Sequence, residues 1–174
     1  MQRVAIIGNA GGGKSVLARE LGRARGLPVH AIDDVQWRPG WTRTPVELVA
    51  AAHASWLEES AWVIDGWGDW TLIAQRFEAA DTIVFVDFPL WRHRWWAMKR
   101  QAECMLGLRK DWPPPGCRAL PVTRRLWSVM TYVHRELRPR LLALAAAPRF
   151  AAKVVRIRSP RELAAFRRRA HPGE

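Results

Sequence analysis

The sequence predicts an α/β fold with three layers, in which a parallel sheet is covered by helices on both faces. Short apolar runs rich in β-branched residues recur along the chain, and segments with helical spacing of apolar residues alternate with them. Nearly continuous apolar strands that alternate with helices are typical of a parallel sheet buried on both faces. The strand-like runs are residues 3–7, 29–32, 62–64, 82–86 and 154–157.

The first strand is expected to lead through a glycine loop into a helix. Residues 3–7 form a largely apolar run that stops at Gly8. In residues 15–25 the apolar side chains follow helical spacing, and Gly26 with Pro28 is a common signal for a helix end. The sequence therefore predicts strand, loop and helix in that order.

The next three strands each lead into an aspartate: Asp33, Asp65 and Asp87. The carboxyl ends of parallel strands lie at one edge of a sheet, where ligands bind in open α/β folds. We therefore expect Asp33 and Asp65 to face a common site. Asp87 precedes Phe88 and Pro89, so capping of the following helix is an equally good interpretation of that residue.

A long insert, residues 90–152, separates the fourth and fifth strands. It combines arginine-rich helical patterns with the proline-rich segment 111–116, which cannot be helical. We expect it to form a mobile, lid-like cover within a single domain of residues 1–174, the usual size for one core. The charged tail, residues 167–174, is expected to fray.

Charge is divided unevenly along the chain. Residues 1–88 carry 8 Lys or Arg and 11 Asp or Glu, a net charge of −3, whereas residues 89–174 carry 20 and 5, a net charge of +15. A basic half suits polyanions, either the phosphates of a nucleotide or the backbone of a nucleic acid. The 11 tryptophans can fill a core or stack on bases, so composition leaves both partners open.

Composition also bears on location. The longest apolar stretch, residues 141–147, is far shorter than the roughly 20 residues that span a bilayer, and the first residues lack the shape of a signal peptide. Cys104 and Cys117 match neither a redox pair nor a disulfide framework, so we expect reduced thiols. The prediction is a cytoplasmic protein, monomeric or weakly dimeric, with no membrane partner.

The loop after the first strand carries the strongest motif of the sequence. It fits the pattern G-x-x-x-x-G-K-[ST], in which backbone N–H groups and the following helix N-terminus face phosphates. The lysine, Lys14, would reach the β and γ oxygens, and the Ser15 hydroxyl would bind Mg²⁺. The residues expected to hold the nucleotide are Gly8, Asn9, Ala10, Gly11, Gly12, Gly13, Lys14, Ser15 and Val16.

Magnesium and the transferred phosphate need further partners. Mg²⁺ takes carboxylate oxygens directly or through water, so Asp33, Asp34 and Asp65 are candidates. Arginines on a closing cover would neutralise charge on the phosphate. We assign Arg92 and Arg100, on the helix after the fourth strand, to this role because the arginines occur as a group, although a solvated helix face is the better explanation of any single arginine.

With these motifs, the chain resembles the adenylate-kinase-like proteins often labelled DNA topology modulation protein, or FlaR-related. The resemblance extends from end to end. It is carried by the glycine loop, by Leu27-Pro28-Val29 with Ile32-Asp33-Asp34 and Trp37, by Pro39-Gly40-Trp41, by Trp62-Val63-Ile64-Asp65-Gly66, by Ala80-Asp81-Thr82, by Phe88-Pro89-Leu90-Trp91-Arg92 and by Val155-Arg156-Ile157-Arg158-Ser159.

The resemblance implies a P-loop fold of five parallel strands in the order 2-3-1-4-5, ATP and Mg²⁺ as cofactors, and transfer of the γ-phosphate to a small nucleotide or metabolite. Asp33 would orient the attacking hydroxyl or hold metal, Asp65 would hold Mg²⁺ through water, and Arg76 would grip the acceptor. The acceptor pocket would be built from Asp33, Asp34, Trp37, Gly66 and Arg76.

Two other functions stay open from the sequence. A nucleotide-regulated nucleic-acid-binding protein would use the basic second half and the tryptophans. A switch that binds ATP without transferring phosphate would show nucleotide affinity and negligible turnover.

Overall fold

Five parallel strands form the central sheet of the computed structural model, which describes residues 1–108, 113–118 and 122–170 but not the side chains of 122–124. A separate antiparallel ribbon takes two further short strands. The sheet strands are β1 (Arg3–Gly8), β2 (Val29–Ala31), β5 (Trp62–Asp65), β6 (Thr82–Val86) and β7 (Val154–Ile157), and the ribbon strands are β3 (Trp37–Arg38) and β4 (Thr42–Arg43).

The helices alternate with the sheet strands as expected, except in the insert, where several follow one another. They are α1 (Lys14–Arg25), α2 (Ile32–Gln36), α3 (Val46–Glu58), α4 (Trp70–Ala79), α5 (Leu90–Met105), α6 (Val122–Tyr132), α7 (Arg138–Ala145), α8 (Pro148–Ala151) and α9 (Pro160–Ala170), with a 3₁₀ turn at Pro39–Trp41 and a π-helical segment at Val133–Leu137 between α6 and α7.

The strand order across the sheet is β2-β5-β1-β6-β7, and every pairing in it is parallel. The strand numbers include β3 and β4 of the ribbon. If only the five sheet strands are numbered along the chain, their order across the sheet is 2-3-1-4-5. In the register of the central strands, Asp65 is the partner of Ile6 on one side and of Ala31 on the other. The end of β5 therefore lies between the start of the glycine loop and the start of α2.

Alternate residues of the central strands belong to two separate hydrophobic cores. Val4, Ile6 and Val84 pack with buried residues of α1 and α9, whereas Ala5 and Ile83 pack with buried residues of α4 and α7. Because side chains of a strand point alternately to opposite faces, this division places helices on both faces of the sheet. The predicted three-layer α/β/α arrangement is present.

Two segments differ from the prediction. Strand β2 ends at Ala31, and Ile32 begins α2, so Asp33 and Asp34 lie in the first turn of a short helix instead of at a strand end. Carboxylates are favourable there because the first turn exposes backbone N–H groups. Residues 167–170, which were expected to fray, belong to α9, and its last residue, Ala170, is 1% exposed and accepts a hydrogen bond from Arg25.

The insert contacts the ribbon through its proline-rich turn. Gly40 N donates to Gly116 O at 3.1 Å, and Trp41 Nε1 donates to Arg118 O at 2.8 Å. Asp111 and Trp112, the start of the predicted proline-rich segment, lie outside the described residues. Within the described ranges, no helix combines the length and hydropathy that crossing a membrane requires.

Candidate functional site

The glycine loop, residues 9–13, lies between β1 and α1, and helix α5 packs directly against it. Gly11 has φ of +71°, and a Cβ placed there would lie 2.3 Å from His93 O. Gly8 has φ of +147°, and its Cβ would lie 2.2 Å from Val86 O. Only glycine combines this backbone conformation with this close approach. The glycines of the motif therefore allow the loop to pack closely against its neighbours, in addition to any role in binding a ligand.

His93 anchors the loop from α5, a contact that the sequence did not predict. Its side chain is buried, and its Nδ1 lies 3.0 Å from Ala10 O. A carbonyl only accepts, so Nδ1 carries the proton. Burial lowers the pKa of His93 to about 4, and the nearby charge of Lys14 lowers it in the same direction. The imidazole is therefore neutral at physiological pH and fixed in one tautomer.

Asn9 ties the loop to the insert. Its Nδ2 donates to Met130 O of α6 at 2.8 Å, and its Oδ1 accepts from Ala10 N at 2.8 Å. The Asn9 side chain is buried and faces the protein. The predicted contact between Asn9 and a nucleotide would therefore be made by backbone atoms and not by the Asn9 side chain.

Lys14 and Ser15 occupy the start of α1. Lys14 Nζ donates to Asn9 O at 3.2 Å, so the ammonium group lies over the loop. Ser15 Oγ donates to Asp65 Oδ2 at 2.5 Å. Asp65 is 4% exposed, and its second oxygen, Oδ1, is buried without a hydrogen-bond partner. The structure thus brings together the two residues that the sequence assigned to a metal.

The carboxyls of Asp33 and Asp34 lie within electrostatic reach of Asp65. Water reaches the Asp33 side chain, yet surrounding protein atoms displace much of its hydration. This dehydration raises the pKa of Asp33, and the charge on Asp65 raises it further, whereas Lys14 and Arg100 lower it. The pKa of Asp34 is raised mainly by dehydration and also by the negative charge on Asp65. The positive charge on Arg19 opposes this shift. The three predicted carboxylates therefore form one acidic group.

The two predicted catalytic arginines occupy different surroundings. Arg100, on α5, lies close enough to Asp33 to influence its ionisation. Arg92 lies with its guanidinium carbon 4.4 Å from the ring centroid of Trp91, which is 60% exposed. The structure therefore brings Arg100 to the acidic group, whereas Arg92 lies against its own neighbour on the surface of the helix.

Arg76 lies below the site instead of in it. The side chain is 1% exposed, Nη1 donates to Gly66 O at 3.0 Å, and Nη2 donates to Trp67 O at 2.5 Å. Burial lowers the pKa of Arg76 to about 10, although Asp65 and Asp69 partly offset the shift. Arg76 supports the turn after β5, and its burial separates its guanidinium from an acceptor bound at the surface.

The same turn is joined to the end of β1, which leads into the glycine loop. Gly66 N donates to Ile6 O at 3.2 Å, and Trp67 Nε1 donates to Gly8 O at 2.8 Å. Trp37, the other predicted pocket residue, is half-buried in the ribbon and meets Trp41 edge-on at a centroid distance of 5.7 Å. The pocket residues thus belong to two segments, of which the Gly66 turn directly contacts the end of β1.

Asp87 is not a helix cap. Its side chain is 2% exposed and bonds to Arg138 Nε at 2.5 Å and to Arg156 Nη2 at 2.6 Å, while α5 has no side-chain cap. Burial alone would raise the pKa of Asp87, but the hydrogen bonds from the two arginines lower it overall. Asp87 therefore joins the insert, through α7, to the end of β7.

The donor set around Ser15 fits magnesium better than a metal held by protein alone. Among the described residues, no group of three or more His, Cys, Asp or Glu side chains is arranged to hold a metal ion. Mg²⁺ commonly takes only one or two protein oxygens, with phosphates and water completing its shell. The unpartnered Asp65 Oδ1 beside the Ser15 hydroxyl matches that requirement.

Comparison with known proteins finds likenesses among solved structures only. No protein-family profile matches this sequence, and no curated protein matches it. Among solved structures, the chain is similar to an unliganded sugar kinase from Janibacter sp. HTCC2649, with 16% identity, 89% of this chain and 99% of that chain covered, and a TM-score of 0.44. At this identity and TM-score, the likeness says nothing about what the present chain binds.

Proposed function

We propose that the chain is a P-loop phosphotransferase that binds Mg²⁺-ATP and transfers the γ-phosphate to a small acceptor. The observation that carries the proposal is the glycine loop between β1 and α1, whose helix begins with Lys14 and with Ser15 bonded to Asp65. This combination supplies phosphate-binding backbone, a mobile cation and metal oxygens at one point.

The donor phosphates would be held by the loop. Backbone N–H groups in the left-handed turns at Gly11 and Gly13 and the N-terminus of α1 favour negative charge. Lys14 Nζ, which is bonded to Asn9 O, would exchange that bond for one to a phosphate oxygen. The bonds from His93 and Asn9 would hold the loop in shape, so that binding need not order it.

Ser15 and Asp65 would hold Mg²⁺. When bound, Mg²⁺ neutralises charge on the β and γ phosphates. The Ser15 hydroxyl supplies one oxygen, and Asp65 supplies Oδ1 directly or through water. The hydrogen bond between these two residues fixes both oxygens before any ligand arrives.

Asp33 and Arg100 would serve the transfer step. Asp33 accepts the proton of the attacking hydroxyl, and its raised pKa suits a base better than that of an ordinary aspartate. Arg100, close to Asp33, would stabilise negative charge on the transferring group. Two further parts of this proposal are that the chain is related to the FlaR-related proteins and that ATP is the phosphoryl donor.

The first test is release of ADP from Mg²⁺-ATP in the presence of small alcohols, nucleosides and nucleoside monophosphates. We expect at least one acceptor to stimulate release in wild type and not in Lys14→Ala. Lys99→Ala removes an exposed lysine from α5 and is the matched control. If the protein binds ATP but no compound stimulates ADP release, phosphoryl transfer is contradicted. That result would favour a switch that binds ATP without transferring phosphate.

A second candidate, nucleotide-regulated nucleic-acid binding, is favoured by a specific surface. Trp91 and Trp95 of α5 are each 60% exposed, and Arg92 lies against Trp91. Exposed aromatic rings beside cations stack on unpaired bases. Binding of single-stranded DNA that weakens steeply with salt, and is lost in Trp91→Ala/Trp95→Ala, would support this function. Absence of binding at low salt would exclude it.

A further inference from the structure

One residue of α5 contacts the loop peptide between Ala10 and Gly11 through both its backbone and its side chain. His93 Nδ1 donates to Ala10 O at 3.0 Å, and His93 O lies 2.3 Å from the position that a Cβ on Gly11 would occupy. The imidazole is itself held in place, because His93 is 1% exposed and its ring centroid lies 5.6 Å from that of Phe88. His93 therefore restricts residue 11 to glycine and fixes the direction of the carbonyl before it.

The direction of the Ala10 carbonyl decides where the Gly11 N–H points. A peptide group is planar and almost always trans, so its C=O and its N–H point to opposite sides. Because the Ala10 carbonyl points at His93, the Gly11 N–H points to the side of the loop away from α5. A ligand on that side would therefore meet a hydrogen-bond donor and not a carbonyl oxygen at this peptide.

The glycine at position 11 makes this restraint necessary. Glycine fits beside His93 O with φ of +71°, but it also adopts many other backbone conformations at little cost. If the peptide before it rotated by half a turn, the Ala10 oxygen would face the ligand side, where it would repel the oxygens of a phosphate. The bond from His93 opposes that rotation, because rotation would leave a buried imidazole N–H without its partner.

The preceding peptide is held from within the loop. Ala10 N donates to Asn9 Oδ1 at 2.8 Å, and Asn9 O accepts from Lys14 Nζ at 3.2 Å. The restraint on the peptide between Ala10 and Gly11 comes instead from α5, 83 positions away along the chain. Substitution at position 93 therefore affects the orientation of one peptide and leaves the internal bonds of the loop in place.

We propose that His93 is a positioning residue of the phosphate site: by holding the carbonyl of Ala10, it aims the N–H of Gly11 at a phosphate group of the nucleotide. This role rests on the proposed binding of Mg²⁺-ATP by the loop and deepens it, since it names one donor atom and the residue that orients it. His93 itself touches neither phosphate nor metal. Loss of its bond should lower the fraction of molecules that are ready to bind, and the apparent affinity falls in proportion to that fraction.

Two substitutions separate the hydrogen bond from the packing of the side chain. His93→Asn places an amide N–H close to the position of Nδ1, whereas His93→Phe keeps an aromatic ring and removes the donor. We expect His93→Phe to weaken calorimetric binding of Mg²⁺-pyrophosphate and of Mg²⁺-ATP about tenfold, which corresponds to a competent fraction of about one tenth. His93→Asn should restore most of the affinity.

A second buried histidine provides the matched control. His53 of α3 is 0% exposed, and neither of its ring nitrogens has a hydrogen-bond partner in the described part of the chain. His53→Phe therefore makes the same chemical change in another buried site without removing a bond to the loop. It should leave both affinities unchanged, and a loss equal to that in His93→Phe would overturn the specific role of His93.

The Gly11 N–H can be observed directly. Ala10-Gly11 is the only Ala-Gly step in the sequence, so full-length protein labelled with carbonyl-¹³C alanine and ¹⁵N glycine gives one amide signal in a carbonyl-correlated NMR spectrum. We expect the proton of this signal to move downfield when pyrophosphate binds to wild type, because a hydrogen bond to an anion deshields it. In ligand-free His93→Phe the signal should be broadened or doubled by exchange between two peptide orientations, and a purely structural role would not produce this effect.

The outcomes separate this role from the proposed function. Pyrophosphate binding to wild type without movement of the Gly11 signal, or wild-type affinity in His93→Phe, would overturn the role of His93 while the phosphotransferase stands. Equal losses in His93→Phe and His93→Asn would overturn it too, because packing and not the hydrogen bond would then be the cause. Failure of wild type to bind either pyrophosphate or ATP would overturn the proposed function as well.

Discussion

Ser15 Oγ lies 2.5 Å from Asp65 Oδ2, a hydrogen bond that joins the first turn of α1 to the end of β5. The two residues are 50 positions apart in the chain. The parallel pairing of Ile6 with Asp65 determines their proximity, since β1 leads into the loop and β5 ends beside it. The two oxygens that we propose as Mg²⁺ ligands are thus positioned by the central strands of the sheet.

Removal of the Ser15 hydroxyl should therefore affect activity more than stability. We expect Ser15→Ala to lower kcat at least about 100-fold and to raise the Mg²⁺ concentration required, since charge neutralisation carries much of phosphoryl transfer. Ser15→Thr keeps the hydroxyl and is the control. A magnesium titration of ADP release measures the effect, and wild-type magnesium dependence in Ser15→Ala would contradict the assigned role.

Gly11→Ala should disrupt the contact between the loop and α5. The new Cβ would lie 2.3 Å from His93 O, and the left-handed backbone adds about 1–2 kcal/mol of strain. We expect a loss of ATP affinity of at least about tenfold, because the loop must move.

The matched control is Gly26→Ala. Gly26 has φ of +64° with no heavy atom within 4 Å of its Cβ position, so the variant adds similar strain without a clash. It should lose about 1–2 kcal/mol of unfolding free energy and keep its ATP affinity. Urea denaturation and calorimetric titration measure the two quantities, and equal ATP affinity in the two variants would argue against the packing role of Gly11.

Asp87→Asn should destabilise the fold. Asp87 accepts hydrogen bonds from two arginines, so the variant leaves both cations without a charged partner. We expect a loss of about 2–3 kcal/mol in the free energy of unfolding near neutral pH, because the arginines are partly exposed and water offsets some of the cost.

The same residue gives a pH dependence with a defined sign. Because the folded-state pKa of Asp87 lies below its ordinary value of 3.8, its stabilisation is fully present above about pH 4 and is lost as pH falls through the folded-state pKa. The gap in unfolding free energy between wild type and Asp87→Asn should narrow below about pH 4. Urea denaturation at several pH values measures it, and a constant gap would show that the ion pair is not its origin.

The activity profile should report Asp33. If Asp33 accepts the proton, kcat/KM falls as pH falls through its pKa, which lies above 3.8. Asp34→Asn removes a negative neighbour and should move this acid limb to lower pH, whereas Arg100→Gln removes a positive one and should move it to higher pH. Coincident limbs in both variants and wild type would exclude Asp33 as the titrating group.

Much of the fold was predictable because it depends on local chemistry. The five sheet strands are short apolar runs, and the stop at Gly26 and Pro28 marks the end of α1. The glycine motif predicted the loop between β1 and α1, and its expected function stays a prediction. The sequence did not predict the ribbon or α2, because their residues show no sustained periodicity of apolar side chains.

Several site contacts could not be predicted because they join distant parts of the chain. His93 and Ala10 are 83 positions apart, and Asn9 and Met130 are 121 apart, so only the packed tertiary structure brings each pair together. Arg76 is different, since a usable signal existed. It lies four residues after Leu72 and three after Ile73, both buried, so helical spacing placed it on the inward face of α4.

The bond from Asn9 to Met130 gives the insert a thermodynamic link to the loop. A ligand that favours the loop conformation in which Asn9 reaches Met130 also favours docking of α6. By reciprocity, a docked α6 raises the affinity of the loop for that ligand by the same factor. A substitution on the far side of α6 can therefore change the affinity of the loop for such a ligand without touching the ligand.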